Sequence, residues 1–341
     1  MSENEQRVKI GMIGVGGISY MHEAGYSEID DLCTLVAFCD LDEELARSHA
    51  EPYQARVYTA YQDLLDDPDV EIVDIAVPHH LHYPIALAAL EKGKHVLVEK
   101  PMAMTSEQAW ELIETAKRKN VRFTVAENTH FVAAYQEAER VLQAGTLGEI
   151  RLVRTYIAGS EVERIKDQAS WVGSSETQGV LLDSGVHTFY LLKWLFGGVI
   201  DIQTIAYKLL PESKVDDHAL AFGHLANGAI FATTQSCVTE APWSERLEIH
   251  GSEGSLIVDQ LANPPAIYFH GSDDVDGTPL PEVPFDPLAW KYFSIVAEVQ
   301  DFVRAVREGR DPAISPLYGH HALRVVEAAY RSVAEEKTIT L

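Results

Sequence analysis

The sequence predicts an α/β protein with an N-terminal doubly wound parallel sheet, followed by an α+β region built on an open, mostly antiparallel sheet. Up to about residue 128, short apolar runs alternate with helical patterns, as buried parallel strands and their crossover helices do. Beyond residue 144, longer runs alternate apolar with polar residues, which is typical of half-buried antiparallel strands. The length of 341 residues favours two domains.

The first predicted domain covers residues 1–128. Its strands are the runs VKIGMIG, TLVAFCD, EIVDIAVP, HVLVEK and RFTVAEN. Apolar residues recurring three or four positions apart predict its helices, which are Ile18–Ile29, Asp42–Ala50, Leu81–Lys92 and Ser106–Lys119. Thr105 or Ser106 is expected to cap the last of these helices.

The second predicted domain covers residues 129–341. A helix over Ala134–Ala144 precedes three runs that predict antiparallel strands, EIRLVRTYIAG, ALAFGHLANGAIFATTQSC and RLEIHGSEGSLIVD. Two closing helices are expected over Tyr292–Glu308 and Tyr318–Glu336. These closing helices are candidates for packing back onto the first domain.

Composition narrows the expected partners and compartment. The chain has 27 basic and 52 acidic residues, and its net charge of -25 disfavours nucleic acid and anionic membranes as partners. No apolar stretch reaches the roughly 20 residues of a membrane helix, and Met1–Lys9 lacks the apolar core of a signal peptide. The three cysteines include no CxxC pair, so neither a disulfide framework nor a cysteine zinc site is expected. A cytoplasmic location is predicted.

A glycine-rich string follows the first strand directly. Glycines there let the backbone turn tightly and approach a pyrophosphate at the N-terminus of the next helix, although such a string alone also fits a purely structural turn. The cofactor-binding candidates in this string are Gly14, Gly16, Gly17 and Ile18. Ser19 stands where a third small residue is expected.

Asp40 ends the second strand roughly twenty residues beyond the glycines, where a carboxylate can bind the adenosine ribose. This placement predicts a Rossmann domain that binds a dinucleotide. Asp40 would repel the extra phosphate of NADP, and Leu41 and Asp42 supply no basic side chain. NAD is therefore the predicted cofactor.

Polar residues that follow the other strands are expected near the cofactor, because ligands bind at the carboxyl ends of parallel strands. The further cofactor-binding candidates are Pro78, His79, His82, Glu99 and Lys100, and Asn128 is a substrate-binding candidate. Lys100 ends a buried strand, where burial or positive charge could lower its pKa toward neutrality and let it move a proton. The structural alternative is an ion pair between Lys100 and Glu99 or a surface carboxylate.

Two further groups of polar residues are candidates for functional sites. Asp183 and His187, four positions apart, would share one helical face, so that the aspartate could orient the histidine, although a structural pair is the commoner use of this spacing. In an extended segment, His79 would point opposite to His80 and His82, and no acidic partner lies adjacent to them. Asp183 and His187 have no evident third ligand. No metal site is predicted.

The chain resembles the glucose-fructose oxidoreductase, inositol dehydrogenase and MocA family over nearly its entire length. The resemblance rests on four segments in order, IGVGGISYMH, IAVPHHLHYPIALAALEKGKHVLVEKP, AEN and GVLLDSGVHTFYLLKWLFG. It implies that Lys100 is the catalytic lysine and that Asp183 and His187 are the catalytic aspartate and histidine of the second domain. Trp171 resembles a position that lines the sugar site in some members, whereas Tyr190 replaces an aspartate that many members carry.

The resemblance also implies an activity. Members typically oxidise a secondary alcohol of a sugar, sugar derivative or cyclitol, pass a hydride to NAD, and leave the proton with a group equivalent to His187 or Lys100. They associate through the open face of the second sheet, so a homodimer or homotetramer is expected.

Two other functions remain open from the sequence. One is NAD-dependent glycoside cleavage by transient oxidation and elimination, and the other is a non-catalytic dinucleotide-binding regulator. The presence of Lys100, Asp183 and His187 argues against the regulator.

Overall fold

The computed structural model describes residues 7–167, 179–280 and 289–341, which fall into two compact units. The first unit comprises the described part of Met1–Asn128 together with Tyr292–His320. The second comprises the described parts of Thr129–Lys291 and His321–Leu341. Across the described ranges, no helix is both long and apolar enough to cross a bilayer.

A six-stranded sheet forms the centre of the first unit. Its strands are β1 (Val8–Ile13), β2 (Cys33–Cys39), β3 (Arg56–Tyr58), β4 (Ile72–Ile75), β5 (His95–Glu99) and β6 (Phe123–Ala126). All pair in parallel, in the order β3-β2-β1-β4-β5-β6. The doubly wound parallel sheet is confirmed, and its strand order reverses between β1 and β4, where such sheets bind their ligands.

The helices of this unit are α1 (Ser19–Ser27), α2 (Glu43–Ala50), α3 (Tyr61–Asp66), α4 (His79–Glu91) and α5 (Ser106–Lys119). The side chain of Asp42 caps α2, and that of Thr105 caps α5 by accepting a hydrogen bond from the Gln108 N–H. The strand β3 and helix α3 were not predicted from the sequence. Helix α4 begins at His79 rather than at Leu81, because Pro78 ends the preceding loop and the chain turns helical immediately after it.

A helix from the C-terminal part of the chain, α10 (Trp290–Glu308), packs on the core of the first unit. Val299, Phe302 and Val303 of this helix are buried in the same cluster as Ile10 of β1. The contact between α1 and α10 is close, since a Cβ atom at Gly25 would lie 2.2 Å from Val299 Cγ2.

The second unit contains a nine-stranded sheet. Its strands are β7 (Ile150–Ala158), β8 (Val199–Tyr207), β9 (His218–Leu225), β10 (Ile230–Ser236), β11 (Ser244–Gly251), β12 (Ser255–Asp259), β13 (Ala266–Phe269), β14 (Thr278–Pro279) and β15 (Ile339–Thr340). Their order is β14-β13-β12-β11-β7-β10-β9-β8-β15. Among the described strands, β7 and β10 pair in parallel and the other pairs are antiparallel, which confirms the predicted mostly antiparallel sheet.

The remaining helices are α6 (Ala133–Gln143), α7 (Val162–Lys166), α8 (Val180–Asp183), α9 (Gly185–Phe196) and α11 (Pro316–Glu335). Among the described residues, the side chains of this sheet alternate between a buried face and a more exposed one, which we call the open face. Along β9, Ala219 and Ala221 are buried, whereas Leu220 and Phe222 are 42% and 41% exposed. This alternation leaves large apolar side chains on the open face.

Candidate functional site

The glycine-rich turn after β1 has room for a ligand. Gly14 has a φ of +85°, and a Cβ atom there would lie 2.3 Å from the Ala76 carbonyl oxygen, so the turn requires glycine at this position. A Cβ atom at Gly16 or Gly17 would meet nothing within 4 Å, and both residues are exposed. Ser19 Oγ donates to the Gly16 carbonyl at 2.6 Å and fixes the turn at the start of α1. The open backbone suits a pyrophosphate at this helix N-terminus.

Asp40 is attached to this turn. Its Oδ2 accepts a hydrogen bond from the Val15 N–H at 3.0 Å, and its Oδ1 accepts one from the Asp42 N–H at 3.0 Å. The side chain is half-buried, and the next residue, Leu41, is 91% exposed. An ionised carboxylate has more acceptor positions than these two bonds use, so Asp40 can also accept from ribose hydroxyls. Turn and carboxylate together fit the adenosine and pyrophosphate parts of NAD.

The histidines after β4 lie on a helix, which corrects the interpretation of this segment as extended. His79 and His82 are both buried on one face of α4 with ring centroids 5.6 Å apart, whereas His80 is exposed. Both ring nitrogens of His82 lie 2.7 Å from carbonyl oxygens, those of Val77 and Pro101. His82 therefore joins the loops that follow β4 and β5. Within the described ranges, no three His, Cys, Asp or Glu side chains are arranged to hold a metal ion.

Glu99 and Lys100 lie at the carboxyl end of β5. Glu99 Oε2 accepts a hydrogen bond from the Lys100 N–H at 3.0 Å, and Glu99 Oε1 lies 3.3 Å from His22 Nε2. Burial favours the neutral form of Glu99, but the charges of His22 and Lys100 outweigh it and lower the pKa of Glu99 to about 2. Lys100 is half-buried beside this ionised carboxylate.

Glu99 belongs to a buried polar cluster that was not predicted from the sequence. His22 of α1 donates from Nδ1 to Asp74 Oδ2 at 2.8 Å, and the Tyr26 hydroxyl donates to the same oxygen at 2.7 Å. Glu298 of α10 is also buried here, and burial together with Glu99 raises its pKa well above the ordinary value despite the opposing effect of His22. The sequence feature that could have indicated this cluster is Asp74 within the apolar run EIVDIAVP, because a buried charge in a central strand requires a partner.

Asn128 lies at the end of the first unit, after β6. Its amide donates from Nδ2 to Ser294 Oγ of α10 at 2.8 Å, and the residue is half-buried. The bond to Ser294 fixes the position of the amide and leaves its oxygen as an acceptor.

Asp183 and His187 are the partly accessible residues of an otherwise buried stretch. From Gly179 to Leu192 every residue is buried except these two, which are half-buried. They do not lie on one continuous helix, as the four-residue spacing had suggested, because α8 ends at Asp183 and α9 begins at Gly185. The sequence thus places two polar side chains at the surface of a closely packed apolar layer.

The start of α8 is held by Asp216. Its carboxylate accepts hydrogen bonds from the Leu181 N–H at 3.1 Å and from the Tyr330 hydroxyl at 2.8 Å, and its backbone carbonyl accepts from the Val180 N–H. A Cβ atom at Gly179 would lie 1.8 Å from Asp216 Oδ1. Glycine at this position therefore lets Asp216 approach the helix that ends in Asp183.

His187 and Tyr190 contact the segment that follows β6. His187 Nδ1 lies 3.5 Å from Thr129 Oγ1, and the Tyr190 hydroxyl lies 3.1 Å from His130 Nδ1. Tyr190 is 1% exposed and is one of the largest fully buried side chains. Trp171, the other predicted substrate contact, lies outside the described residues.

Comparisons with known proteins identify the family to which both parts of the chain are similar. A model described as an oxidoreductase family with an NAD-binding Rossmann fold matches residues 8–127, and a model of the GFO/IDH/MocA C-terminal domain matches residues 135–257. The chain is 25% identical to levoglucosan dehydrogenase of Pseudarthrobacter phenanthrenivorans and 24% identical to myo-inositol 2-dehydrogenase of Thermotoga maritima, with 98% of each sequence covered. A solved structure of levoglucosan dehydrogenase with NADH and levoglucosan has a TM-score of 0.88 and 25% identity, covering 98% of this chain and 99% of that one.

Proposed function

Because the chain belongs to the GFO/IDH/MocA oxidoreductase family and its first unit is an NAD-binding Rossmann domain, we propose that it oxidises a secondary alcohol of a sugar, sugar derivative or cyclitol. The observation that carries the proposal is the open glycine turn with Asp40 beside it, in the same unit as Lys100. The relatives named for levoglucosan and for myo-inositol support a substrate with several hydroxyl groups.

The reaction removes a hydride from the carbon that bears the hydroxyl group and a proton from the hydroxyl oxygen, leaving a ketone. When the dinucleotide is bound, the chemistry that it supplies is acceptance of the hydride at its nicotinamide ring. The task of this chain is then to bind and orient both molecules and to take up the proton.

The proposed catalytic residues are Lys100, Asp183 and His187. A neutral amine at Lys100 or a neutral imidazole at His187 accepts the hydroxyl proton, and Asp183 orients the substrate or the histidine. Their partial exposure supports these roles, since a proton acceptor must reach its substrate. Asn128 is proposed to contact the substrate through its amide oxygen, and Trp171 through its ring.

The proposed cofactor contacts follow the ends of β1 and β2 on one side of the site and the ends of β4 and β5 on the other. Gly14, Gly16, Gly17 and Ile18 hold the pyrophosphate, and Asp40 binds the ribose and selects NAD over NADP. Pro78, His79 and Glu99 shape the opposite side, where buried His82 fixes the two loops through its bonds to Val77 and Pro101.

We also propose that the chain forms a homodimer or homotetramer through the open face of the nine-stranded sheet. Large apolar side chains on this face support the proposal, among them Tyr207, Leu220 and Phe222, which are 61%, 42% and 41% exposed. The described cysteines are free thiols, which supports a reducing compartment such as the cytoplasm.

The test is NADH formation from NAD across a panel of free sugars, inositols, anhydrosugars and glycosides, with NADP in parallel. We expect at least one polyol to yield NADH, with NAD preferred. A glycoside that is cleaved without accumulation of NADH would instead indicate transient oxidation. NAD binding without turnover of any compound, even after prolonged incubation, would contradict the proposed dehydrogenase.

A further inference from the structure

His22 is a buried residue of α1 that lies between two carboxylates. It is 0% exposed, its Nδ1 lies 2.8 Å from Asp74 Oδ2, and its Nε2 lies 3.3 Å from Glu99 Oε1. The second contact is an ion pair without the alignment of a full hydrogen bond. Because carboxylate oxygens only accept hydrogen bonds, an unprotonated nitrogen facing either of them would be repelled. The geometry therefore favours an imidazolium.

The charges around His22 support the same state. Burial opposes a charge on this ring, but Asp74 and Glu99 outweigh burial and raise the pKa of His22 well above its ordinary value. Tyr26 donates to the same oxygen of Asp74 at 2.7 Å and holds that carboxylate in place. Burial raises the pKa of Glu298 well above its ordinary value, which favours the uncharged form of this third carboxyl group.

The imidazolium is joined to Lys100 through one side chain. Glu99 Oε1 contacts His22, whereas Glu99 Oε2 accepts the N–H of Lys100 at 3.0 Å. The carboxylate is thus held at one oxygen by the helix that follows the glycine turn, and at the other by the peptide from which the Lys100 side chain departs.

We propose that His22 is a positioning residue for Lys100, acting through Glu99. The inference rests on the proposed role of Lys100 in proton transfer. Without the imidazolium, Asp74 and Glu99 lose the cation between them and repel each other, so the Glu99 carboxylate and the Lys100 peptide shift. A displacement of about 1 Å at a reacting group costs up to about 10²-fold in rate.

The chain offers a matched control for a purely structural role. His49 is 4% exposed, and its Nδ1 contacts Glu23 Oε1, another carboxylate of α1. This pair joins α1 to α2, and the hydrogen bond between the two side chains involves neither Glu99 nor Lys100. The same substitution at His49 removes a buried histidine–carboxylate contact from the same helix.

The experiment compares His22→Gln, His49→Gln, Lys100→Met and the double variant of His22 and Lys100. The readouts are kcat with the best substrate of the panel, the NADH dissociation constant from fluorescence, and the melting temperature. We expect His22→Gln to lower kcat by about 10-fold to 10²-fold while the NADH dissociation constant changes by less than about threefold. We expect His49→Gln to lower the melting temperature and leave kcat within about twofold.

The double variant decides whether His22 acts through Lys100. If it does, adding His22→Gln to Lys100→Met lowers kcat no further. Additive losses, or equal kcat in His22→Gln and His49→Gln, would overturn the inference while the function stands. Normal turnover in Lys100→Met would instead refute the role of Lys100 itself, and the inference with it. If His22→Gln does not fold, Asp74→Asn, which removes one carboxylate from the imidazolium, must show the same pattern.

Discussion

Two side chains at strand ends, Lys100 after β5 and Asp40 after β2, lead to specific predictions about turnover and cofactor choice. Lys100 leaves β5 beside an ionised Glu99, half-buried and next to a parallel-strand edge where ligands bind. We expect Lys100→Met to lower turnover by about 10²-fold or more, the usual scale of a lost acid–base group, with NADH affinity retained. The measurement is steady-state NADH formation with fluorescence titration of NADH.

A lysine away from the site provides the control for this prediction. Lys117 is exposed on α5, so Lys117→Met should leave kcat and NADH affinity unchanged. Equal turnover in the two variants would show that the ammonium of Lys100 has no part in the reaction.

Asp40 is the residue proposed to select NAD over NADP. Asp40→Asn keeps an oxygen that accepts from the Val15 N–H and removes the negative charge, so the turn survives while repulsion of a phosphate disappears. We expect the ratio of kcat/KM for NADP to that for NAD to rise about tenfold or more, which corresponds to about 1.4 kcal/mol. Asp42→Asn, which keeps a cap on α2, should leave the ratio unchanged. A ratio that rises equally in both variants would contradict a specific role for Asp40.

The short helix α8 requires glycine at position 179, because Asp216 occupies the space that a side chain there would fill. A Cβ atom at Gly179 would overlap Asp216 Oδ1 at 1.8 Å, whereas one at Gly185 would meet its nearest atom at 3.4 Å, an ordinary contact. We expect Gly179→Ala to lower the unfolding free energy by about 1–3 kcal/mol, because Asp216 must leave the Leu181 N–H. We expect Gly185→Ala, inside α9, to be neutral or slightly stabilising. Urea unfolding of both variants is the measurement, and similar stabilities would contradict the clash.

Helix α10 carries a buried acid whose protonation makes stability depend on pH. Burial raises the pKa of Glu298 well above 4.5, so above that pH the unfolded chain releases a proton that the folded chain keeps. The wild type then loses up to about 1.4 kcal/mol of stability per pH unit until the folded-state pKa is reached, and Glu298→Gln does not. We expect the variant to become increasingly more stable than the wild type from pH 5 to pH 7 in urea unfolding.

A second glutamate of α10 provides the comparison for this pH dependence. Glu308 is exposed, so Glu308→Gln should follow the wild type at every pH. If the Glu298→Gln curve stays parallel to that of the wild type, Glu298 is ionised in the folded protein and the account of the buried cluster is wrong.

Elements with strong local signals were predicted well. Helix α5 has the predicted bounds Ser106–Lys119, because Thr105 caps its start, basic residues fill its last turn and Asn120 ends it with a φ of 55°. The strand β3 has only three residues, too few for a hydrophobic period to appear. The predicted start of α4 is two residues too late, because the polar His79 and His80 interrupt the apolar pattern in its first turn.

The polar contacts of the site were harder to predict from the sequence than the positions of the strand ends. The edge positions of Asp40, Glu99 and Lys100 follow from strand patterns, because the carboxyl ends of parallel strands meet at one edge. The bond between His22 and Asp74 spans 52 residues, and no local rule pairs such distant side chains. The split between α8 and α9 was hidden for the same reason, since Asp216 holds α8 from 35 residues away.

At the level of the whole molecule, the open sheet face predicts self-association. Phe222 is 41% exposed on β9, on the face that also exposes Leu220, and a charge there would be buried without a partner in the proposed interface. We expect the wild type to sediment as a dimer or tetramer and Phe222→Glu to sediment as a smaller species. Val275→Glu, at a site 85% exposed outside this face, should sediment like the wild type. A monomeric wild type at micromolar concentration would contradict the proposed interface.

Transfer of a hydride from a polyol carbon to NAD can be followed with a substrate deuterated at the carbon that is oxidised. We expect NADH formed in ordinary water to carry one deuterium at the nicotinamide ring and the carbohydrate product to be a ketone, both measurable by mass spectrometry. Unlabelled NADH, or a changed carbohydrate with no NADH formed at all, would contradict it.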